Sequence, residues 1–235
     1  MSAQAPFLLG EDPEAFPDPE LALTEPNGLL AIGGDLRPER LLAAYRLGIF
    51  PWYEKPPILW WSPNPRTVLL LKDLKISTSL KKTLRSLRFD VRVDENFPEV
   101  LRQCAAPRQH QHKIITDTWL TPEMQAAYTE LFTLGYAHSI ETYANGKLVG
   151  GLYGVCLGST FFGESMFSRE SDASKVALIY LANHLTQWGF EFIDCQVPSE
   201  HLFSLGATFL PRTLFLIKVA THNRVPTRLG KWDFT

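Results

Sequence analysis

Apolar positions along this chain change their spacing several times, and each change marks a different kind of element. Before residue 66 no period holds for long. Prolines at positions 6, 13, 17, 19, 26, 38, 51, 56, 57, 63 and 65 fix φ and remove backbone donors, so no regular sheet is expected there. One helix interrupts the stretch. Asp35 stands where a cap belongs, Pro38 falls in the first turn, and ERLLAAYRLG runs to a stop at Gly48. Leu41, Leu42, Tyr45 and Ile49 make its apolar face. Trp52, Trp60 and Trp61 then fall within a Pro-rich loop, either as a plug between two domains or as an aromatic wall for a base.

From Thr67 the pattern becomes regular. Thr67–Lys72 reads as a strand, and Ser77 or Ser79 opens a helix with Leu80, Leu84 and Leu87 on one face. Lys81, Lys82, Arg85 and Arg88 occupy the rest of that helix, which contains no acid. Phe89–Val93 is a predicted strand, Phe97–Cys104 a helix, and Ala105–Lys113 a surface loop holding His110 and His112. A helix opens at Thr121-Pro122-Glu123 and stops at Gly135. A three-strand meander follows over Ala137–Tyr143, Lys147–Cys156 and Ser159–Phe167, with Asn145-Gly146 as its first turn. Ser171 or Asp172 then caps a helix, Ala173–Trp188, whose inner face holds Ala177, Leu181, His184, Leu185 and Trp188. Phe190–Val197 is almost continuously apolar, as in a strand covered on both faces and parallel to its predecessor. A short helix at Ser199–Leu205, a strand pair within Thr208–Val219 and a basic, irregular tail complete the chain.

This order predicts an α+β fold: a small Pro/Trp-rich N-terminal domain, residues 1–65, and a second domain, residues 66–235, built on a mixed, mostly antiparallel sheet. The composition narrows the function. Among 235 residues 45% are hydrophobic and 20% charged, which suits a packed core. The net charge of −2 means that a nucleic acid would have to be held by a local patch, for which the helix carrying Lys81, Lys82, Arg85 and Arg88 is the candidate. Cys104, Cys156 and Cys195 are odd in number and far apart, so neither a disulfide framework nor a zinc site is expected. His110 and His112 have no acid or thiol near them at ligand spacing. The N-terminus lacks the basic and apolar regions of a secretory signal, no run is long enough to span a bilayer, and a cytoplasmic enzyme is the simplest expectation.

Meander, crossover helix, strand and helix follow the order of the GNAT-like acyltransferases, a likeness of fold alone. There, the loop entering the crossover helix cradles the pyrophosphate of coenzyme A, which requires glycines at a helix N-terminus. The corresponding loop here, Ser168–Lys175, has no glycine and holds Glu170 and Asp172, so coenzyme A is not the expected donor. Two readings stand as alternatives to whatever replaces it: a coenzyme-A-dependent N-acetyltransferase after all, or a non-catalytic RNA-binding module.

Seven short segments decide among them. Gly33-Gly34-Asp35-Leu36, Gly48-Ile49-Phe50-Pro51-Trp52, Trp60-Trp61-Ser62-Pro63, His138-Ser139-Ile140-Glu141, Gly163-Glu164-Ser165-Met166-Phe167-Ser168, Ala173-Ser174-Lys175 and Asp194-Cys195-Gln196-Val197 appear in order. Together they closely resemble the bacterial leucyl/phenylalanyl-tRNA–protein transferases, over roughly residues 16–215. The resemblance implies transfer of Leu, Phe and less readily Met from aminoacyl-tRNA to the N-terminal amine of proteins that begin with Arg or Lys, which tags them for N-end rule degradation. It implies no cofactor, no metal and no membrane. The charged 3′ adenosine would lie where coenzyme A lies in GNAT-like relatives.

Strand alternation puts Asp194 and Gln196 on one face and turns Cys195 into packing. With the resemblance, Asp194 and Gln196 become the expected reaction centre, Asp194 either taking the proton of the attacking amine or serving with Gln196 to orient amine and ester. Glu164, at the end of the third meander strand, is placed to hold the acceptor's ammonium or its basic side chain. The resemblance also assigns Trp52 and Trp119 to the adenosine and substrate site, and Tyr45 and Tyr128 to the neighbourhood of the acceptor. Leu152, Phe161, Met166, Leu178, Leu181 and Leu185 would form the aminoacyl pocket. Leu152 stands where the family pattern has a methionine, and Phe162 where it has a smaller residue.

Overall fold

Short strands form wherever the prolines leave room for them. The computed structural model describes residues 5–106, 108–110, 113–115 and 119–234. Four strands assemble in the first 61 residues, contrary to the expectation of no regular sheet: β1 (Phe7–Leu9), β2 (Leu29–Gly33), β3 (Phe50–Pro51) and β4 (Leu59–Trp61), in the order β1-β2-β4-β3. The prolines lie in the connections, and the one inside a strand, Pro51, is on an edge where a missing donor costs little. Trp60 is sealed inside and donates its indole N–H to the Gly33 carbonyl at 2.9 Å. Between β2 and β3 lies helix α1 (Pro38–Arg46), with Leu41, Leu42, Tyr45 and Ile49 buried. Asp35 does not cap it. Arg37 holds that position, and the Asp35 carboxylate instead accepts the Arg37 backbone N–H at 3.0 Å.

The remaining elements are β5 (Arg66–Leu70), α2 (Thr78–Arg85), β6 (Asp90–Val93), α3 (Phe97–Ala105), β7 (Arg108–His110), β8 (Lys113–Ile115), α4 (Pro122–Thr133), β9 (Ala137–Ala144), β10 (Lys147–Leu157), β11 (Thr160–Ser168), α5 (Ala173–Gln187), β12 (Phe192–Gln196), α6 (Glu200–Ser204), β13 (Thr208–Leu210) and α7 (Arg212–His222). Seven strands form one sheet in the order β13-β5-β12-β11-β10-β9-β6, antiparallel throughout except for β11 and β12. This is the expected α+β architecture with a mostly antiparallel sheet. One face packs on α5 through Leu152, Phe161 and Ile193, while Tyr153, Val155 and Phe162 meet α1 and α4 on the other. Glycine is required where α5 bears on β10: a Cβ on Gly150 would lie 2.5 Å from that of Ala173.

Several local expectations change. Ser77 is the cap of α2, accepting from the Leu80 N–H. Leu87 lies past the end of that helix in a left-handed conformation and is 89% exposed. The predicted loop at Ala105–Lys113 starts in the last residue of α3 and holds β7 and the first residue of β8, which pair antiparallel, and His112 lies outside the described residues. At the start of α5, Asp172 is left-handed with no capping bond, and the Ser168 hydroxyl accepts the Ser174 N–H instead. The strand pair expected to Val219 is only β13, because Arg212, Phe215, Val219 and His222 are buried at helical spacing. The apolar run Leu214–Ile217 disguises that period. His184 sits on the inner side of α5 as expected, its ring nitrogens near the Tyr180 and Phe234 carbonyls. Among the described residues no helix is long and apolar enough to cross a membrane, and no cluster of three metal-ligating side chains occurs.

Candidate active site

The sheet opens where its only parallel pair separates. β11 and β12 are in register at Phe161↔Ile193 and Phe162↔Asp194 and then diverge. Both strands carry a bulge just past that point. Gly154 and Tyr153 of β10 face Gly163 and Ser165, which leaves Glu164 as the extra residue of β11. Thr67 and Val68 of β5 face Gln196 and Asp194, which leaves Cys195 as the extra residue of β12. Bulges re-aim side chains, and these two decide what faces the gap.

The gap is a cleft of about 850 Å³. Leu152, Phe161, Met166, Leu178 and Leu181 line it as expected, joined by Ile193 and Cys195. Leu185, also expected in the lining, lies outside it: the residue is buried one turn further along α5, in the core behind the pocket. Trp52 and Trp119 stand at the wall with Phe50, Trp52 remaining 41% exposed. Ser168, Ser174, Ser199 and His201 add polar groups that sequence reasoning did not single out.

Glu164 is the acid of the cleft. Its Oε1 accepts from the Tyr45 hydroxyl and from Gln196 Nε2, each at 2.7 Å, and Oε2 accepts from the Tyr128 hydroxyl at 2.7 Å. The two hydroxyls also touch each other at 2.7 Å. Burial pushes the Glu164 carboxyl up to about 7, against the three hydrogen bonds that favour its charged form, and the charge of Asp194 adds to the rise. Burial likewise lifts both tyrosines well above their ordinary range. Tyr45 comes from α1 and Tyr128 from α4; neither lines the cleft, and both act on it through Glu164.

Asp194 is placed differently from its expected position facing the substrates. Arg66 donates to both its oxygens, Nε at 2.8 Å and Nη2 at 2.7 Å, and both side chains are wholly buried. The guanidinium lies between the rings of Phe50 and Phe215, 4.7 and 4.5 Å from their centroids. Asp194 also accepts the Gln196 backbone N–H at 3.0 Å, steadying a residue whose φ is +62°. Simple alternation therefore fails at the bulge: Cys195 meets the cleft and Asp194 turns toward β5. Burial raises the Cys195 thiol well above its ordinary range, so it is no nucleophile. Arg66 was missed by sequence reasoning, although an arginine heading the apolar run of β5 was a signal available to it.

Of the basic helix, Lys81, Lys82 and Arg85 are exposed, whereas Arg88 lies beyond its end, bonded to Glu170 and stacked over Phe89. The Thr83 hydroxyl donates to Asp172 at 3.0 Å, which ties α2 to the entry of α5 beside the cleft.

Comparison with known proteins shows the family of the chain. The family described as leucyl/phenylalanyl-tRNA protein transferase matches residues 68–220, and the N-terminal domain of the same family matches residues 34–64. Similar relatives include the leucyl/phenylalanyl-tRNA–protein transferase of Nitrosomonas europaea, 54% identical over 94% of this chain and 93% of the relative. That of Aromatoleum aromaticum is 54% identical over 97% and 94%. Among solved structures, it is similar at a greater distance to L-PGS from Bacillus licheniformis, at TM-score 0.38 and 13% identity, covering 73% of this chain and 54% of that one. A GCN5-related N-acetyltransferase from Kribbella flavida aligns at TM-score 0.37 and 11% identity, covering 74% and 61%. Neither likeness is close enough to bear on function.

Proposed function

The chain belongs to the leucyl/phenylalanyl-tRNA protein transferase family, an aminoacyltransferase family, and from that premise we propose how its cleft serves the reaction. The protein moves an aminoacyl group from tRNA to a protein. The donor's side chain enters the apolar pocket of Leu152, Phe161, Met166, Leu178 and Leu181, with Ile193 and Cys195 at its floor. Such a pocket discriminates softly, by roughly 1–3 kcal/mol per methylene, which suits a set of donors comprising Leu, Phe and Met. Trp52 and Trp119 take the terminal adenosine, and the exposed cations Lys81, Lys82 and Arg85 meet the phosphates beyond it. The acceptor is a protein N-terminus beginning with Arg or Lys, and the product is thereby marked for N-end rule degradation in the cytoplasm.

The observation that carries this reading is Glu164, an acid set at the split between β11 and β12 by Tyr45, Tyr128 and Gln196. It holds the acceptor's amino group beside the ester. Aminolysis of an ester is downhill, so catalysis needs two substrates placed together and one proton managed. Gln196 orients the amine and the ester. Asp194, occupied by Arg66 and by the Gln196 N–H, orients Gln196 and takes no proton. We also take the chain to divide near residue 65, with α1 reaching across to supply Tyr45.

Incubation with labelled Phe-tRNA or labelled acetyl-coenzyme A and a peptide beginning with Arg tests the assignment. Label is expected on the peptide from Phe-tRNA. Label from acetyl-coenzyme A alone overturns it.

A further inference from the structure

Tyr45, Tyr128 and Glu164 form a closed ring of oxygen contacts, and its protons can be counted. Three contacts of 2.7 Å close it: Tyr45 to Tyr128, Tyr45 to Glu164 Oε1, and Tyr128 to Glu164 Oε2. Each contact at that distance needs one proton between its two oxygens. The tyrosines bring two. With Glu164 ionised the ring is one proton short, and two oxygens face each other lone pair to lone pair; one added proton fills all three contacts. Gln196 Nε2 donates to Oε1 from outside and leaves the count unchanged.

We propose that this ring is the proton acceptor of the transfer reaction, taking the proton that the incoming N-terminal ammonium must lose before it can attack. The proposal rests on the reading that the acceptor's amino group is held at Glu164. The steps balance. R–NH3⁺ and the Glu164 carboxylate become R–NH2 and the carboxylic acid. The free amine then forms the C–N bond to the aminoacyl carbonyl, the C–O bond to the ribose breaks, and the remaining amine proton leaves on the ribose oxygen. The proton held by the ring passes to solvent after the product departs, so the net yield is amide, free hydroxyl and one H⁺.

Other candidates are excluded by position. Both Asp194 oxygens accept from Arg66, and Asp194 is off the cleft. His201 lines the cleft, but among the serines and not beside Glu164 in any hydrogen bond. The titratable and charged groups around Glu164 are Tyr45 from α1, Tyr128 from α4, Tyr153 from β10, which acts on Tyr45, and Asp194 from β12 with its partner Arg66 from β5. Burial among them leaves Glu164 near 7, close to the ~7.7–8.0 of an N-terminal α-amine, so the transfer is nearly balanced.

The experiment measures kcat and KM against pH with a phenylalanyl-adenosine ester and a peptide beginning with Arg, for the full chain and for Glu164→Gln, Tyr45→Phe and Tyr128→Phe. In the unaltered protein kcat falls on the acid side of a limb near pH 7. Glu164→Gln is expected to lose that limb and about 10²–10⁴-fold in kcat, and its residual rate to follow the free amine fraction. Each Tyr→Phe variant opens the ring and removes one donor to the carboxylate, and so shifts the limb with little change in KM for the peptide; these keep Glu164 in place and guard against a folding defect in Glu164→Gln. An acid limb unchanged in all three variants overturns the proposal. So does a Glu164→Gln variant that raises only the KM for the peptide, which would leave Glu164 as a binding group and the proposed function intact. Failure of the unaltered protein to use either the phenylalanyl-adenosine ester or charged Phe-tRNA would instead remove the functional reading itself.

Discussion

Replacing Arg66 by Met separates two jobs that one side chain performs. The substitution leaves the Asp194 carboxyl wholly buried and without a cation. Breaking a buried pair from one side costs about 3–5 kcal/mol. The loss of the guanidinium from between Phe50 and Phe215 is partly offset by methionine, whose sulfur packs well on aromatic rings. Adding Asp194→Leu removes the stranded charge, and the double variant should be clearly more stable than Arg66→Met. It should still lie about 1–3 kcal/mol below the parent, because the Gln196 N–H loses its acceptor. Activity should behave otherwise. Without Asp194 the Gln196 backbone, at φ +62°, loses its side-chain acceptor, its amide meets Glu164 less well, and misplacement of that order costs about 10²-fold in transfer. Urea unfolding followed by tryptophan fluorescence, with transfer to an Arg peptide measured on the same samples, reads both. A double variant no more stable than Arg66→Met, or one whose activity returns with its stability, would refute the reasoning.

Glu141, sealed in β9 and raised to about 7 by burial, opposes folding as it charges. Its folded value lies above the ~4.3 of an unfolded glutamate, so stability is lost as pH rises from about 4.3 through 7, by up to roughly 4 kcal/mol. Glu141→Gln should therefore gain on the parent between pH 5 and 8 in urea unfolding; Glu164, His201 and His222 contribute the remaining slope, and an unchanged slope would contradict the assignment. Changing Lys81, Lys82 and Arg85 to Glu should raise KM for charged tRNA while leaving a phenylalanyl-adenosine donor almost unaffected. The salt dependence of tRNA use should fall by about one in log–log slope for each phosphate no longer neutralised, and equal losses on both donors would remove α2 from the interface.

The site was legible in the sequence where periodicity or chemistry was strong. The Asn145-Gly146 turn fixed the meander, the apolar run ending at Gln196 placed the parallel strand, and the glycine-free entry to α5 argued against a pyrophosphate cradle. What escaped depends on geometry that alternation does not encode. One extra residue in β12 exchanged the orientations expected for Asp194 and Cys195, and Arg66 became visible only once Phe50 and Phe215 came together around it. Leu185 obeys the helical period of Leu178 and Leu181, yet the cleft ends before its turn. The small sheet was missed because proline count describes a stretch as a whole, whereas strands as short as β3 need only the gaps.

The Arg66 sandwich also bears on when the centre can exist. Phe50 arrives early in the chain and Phe215 near its end, while Glu164 draws its hydroxyls from Tyr45 and Tyr128 and its amide partner from Gln196. These are contacts of long sequence separation, the kind whose loops must close before they repay anything. A partly synthesised or clipped chain lacks one wall of the guanidinium slot and, with it, the alignment of Gln196 on Glu164. On the proposed reading, transfer therefore needs α7 in place, because Phe215 closes the slot that holds Arg66 on Asp194.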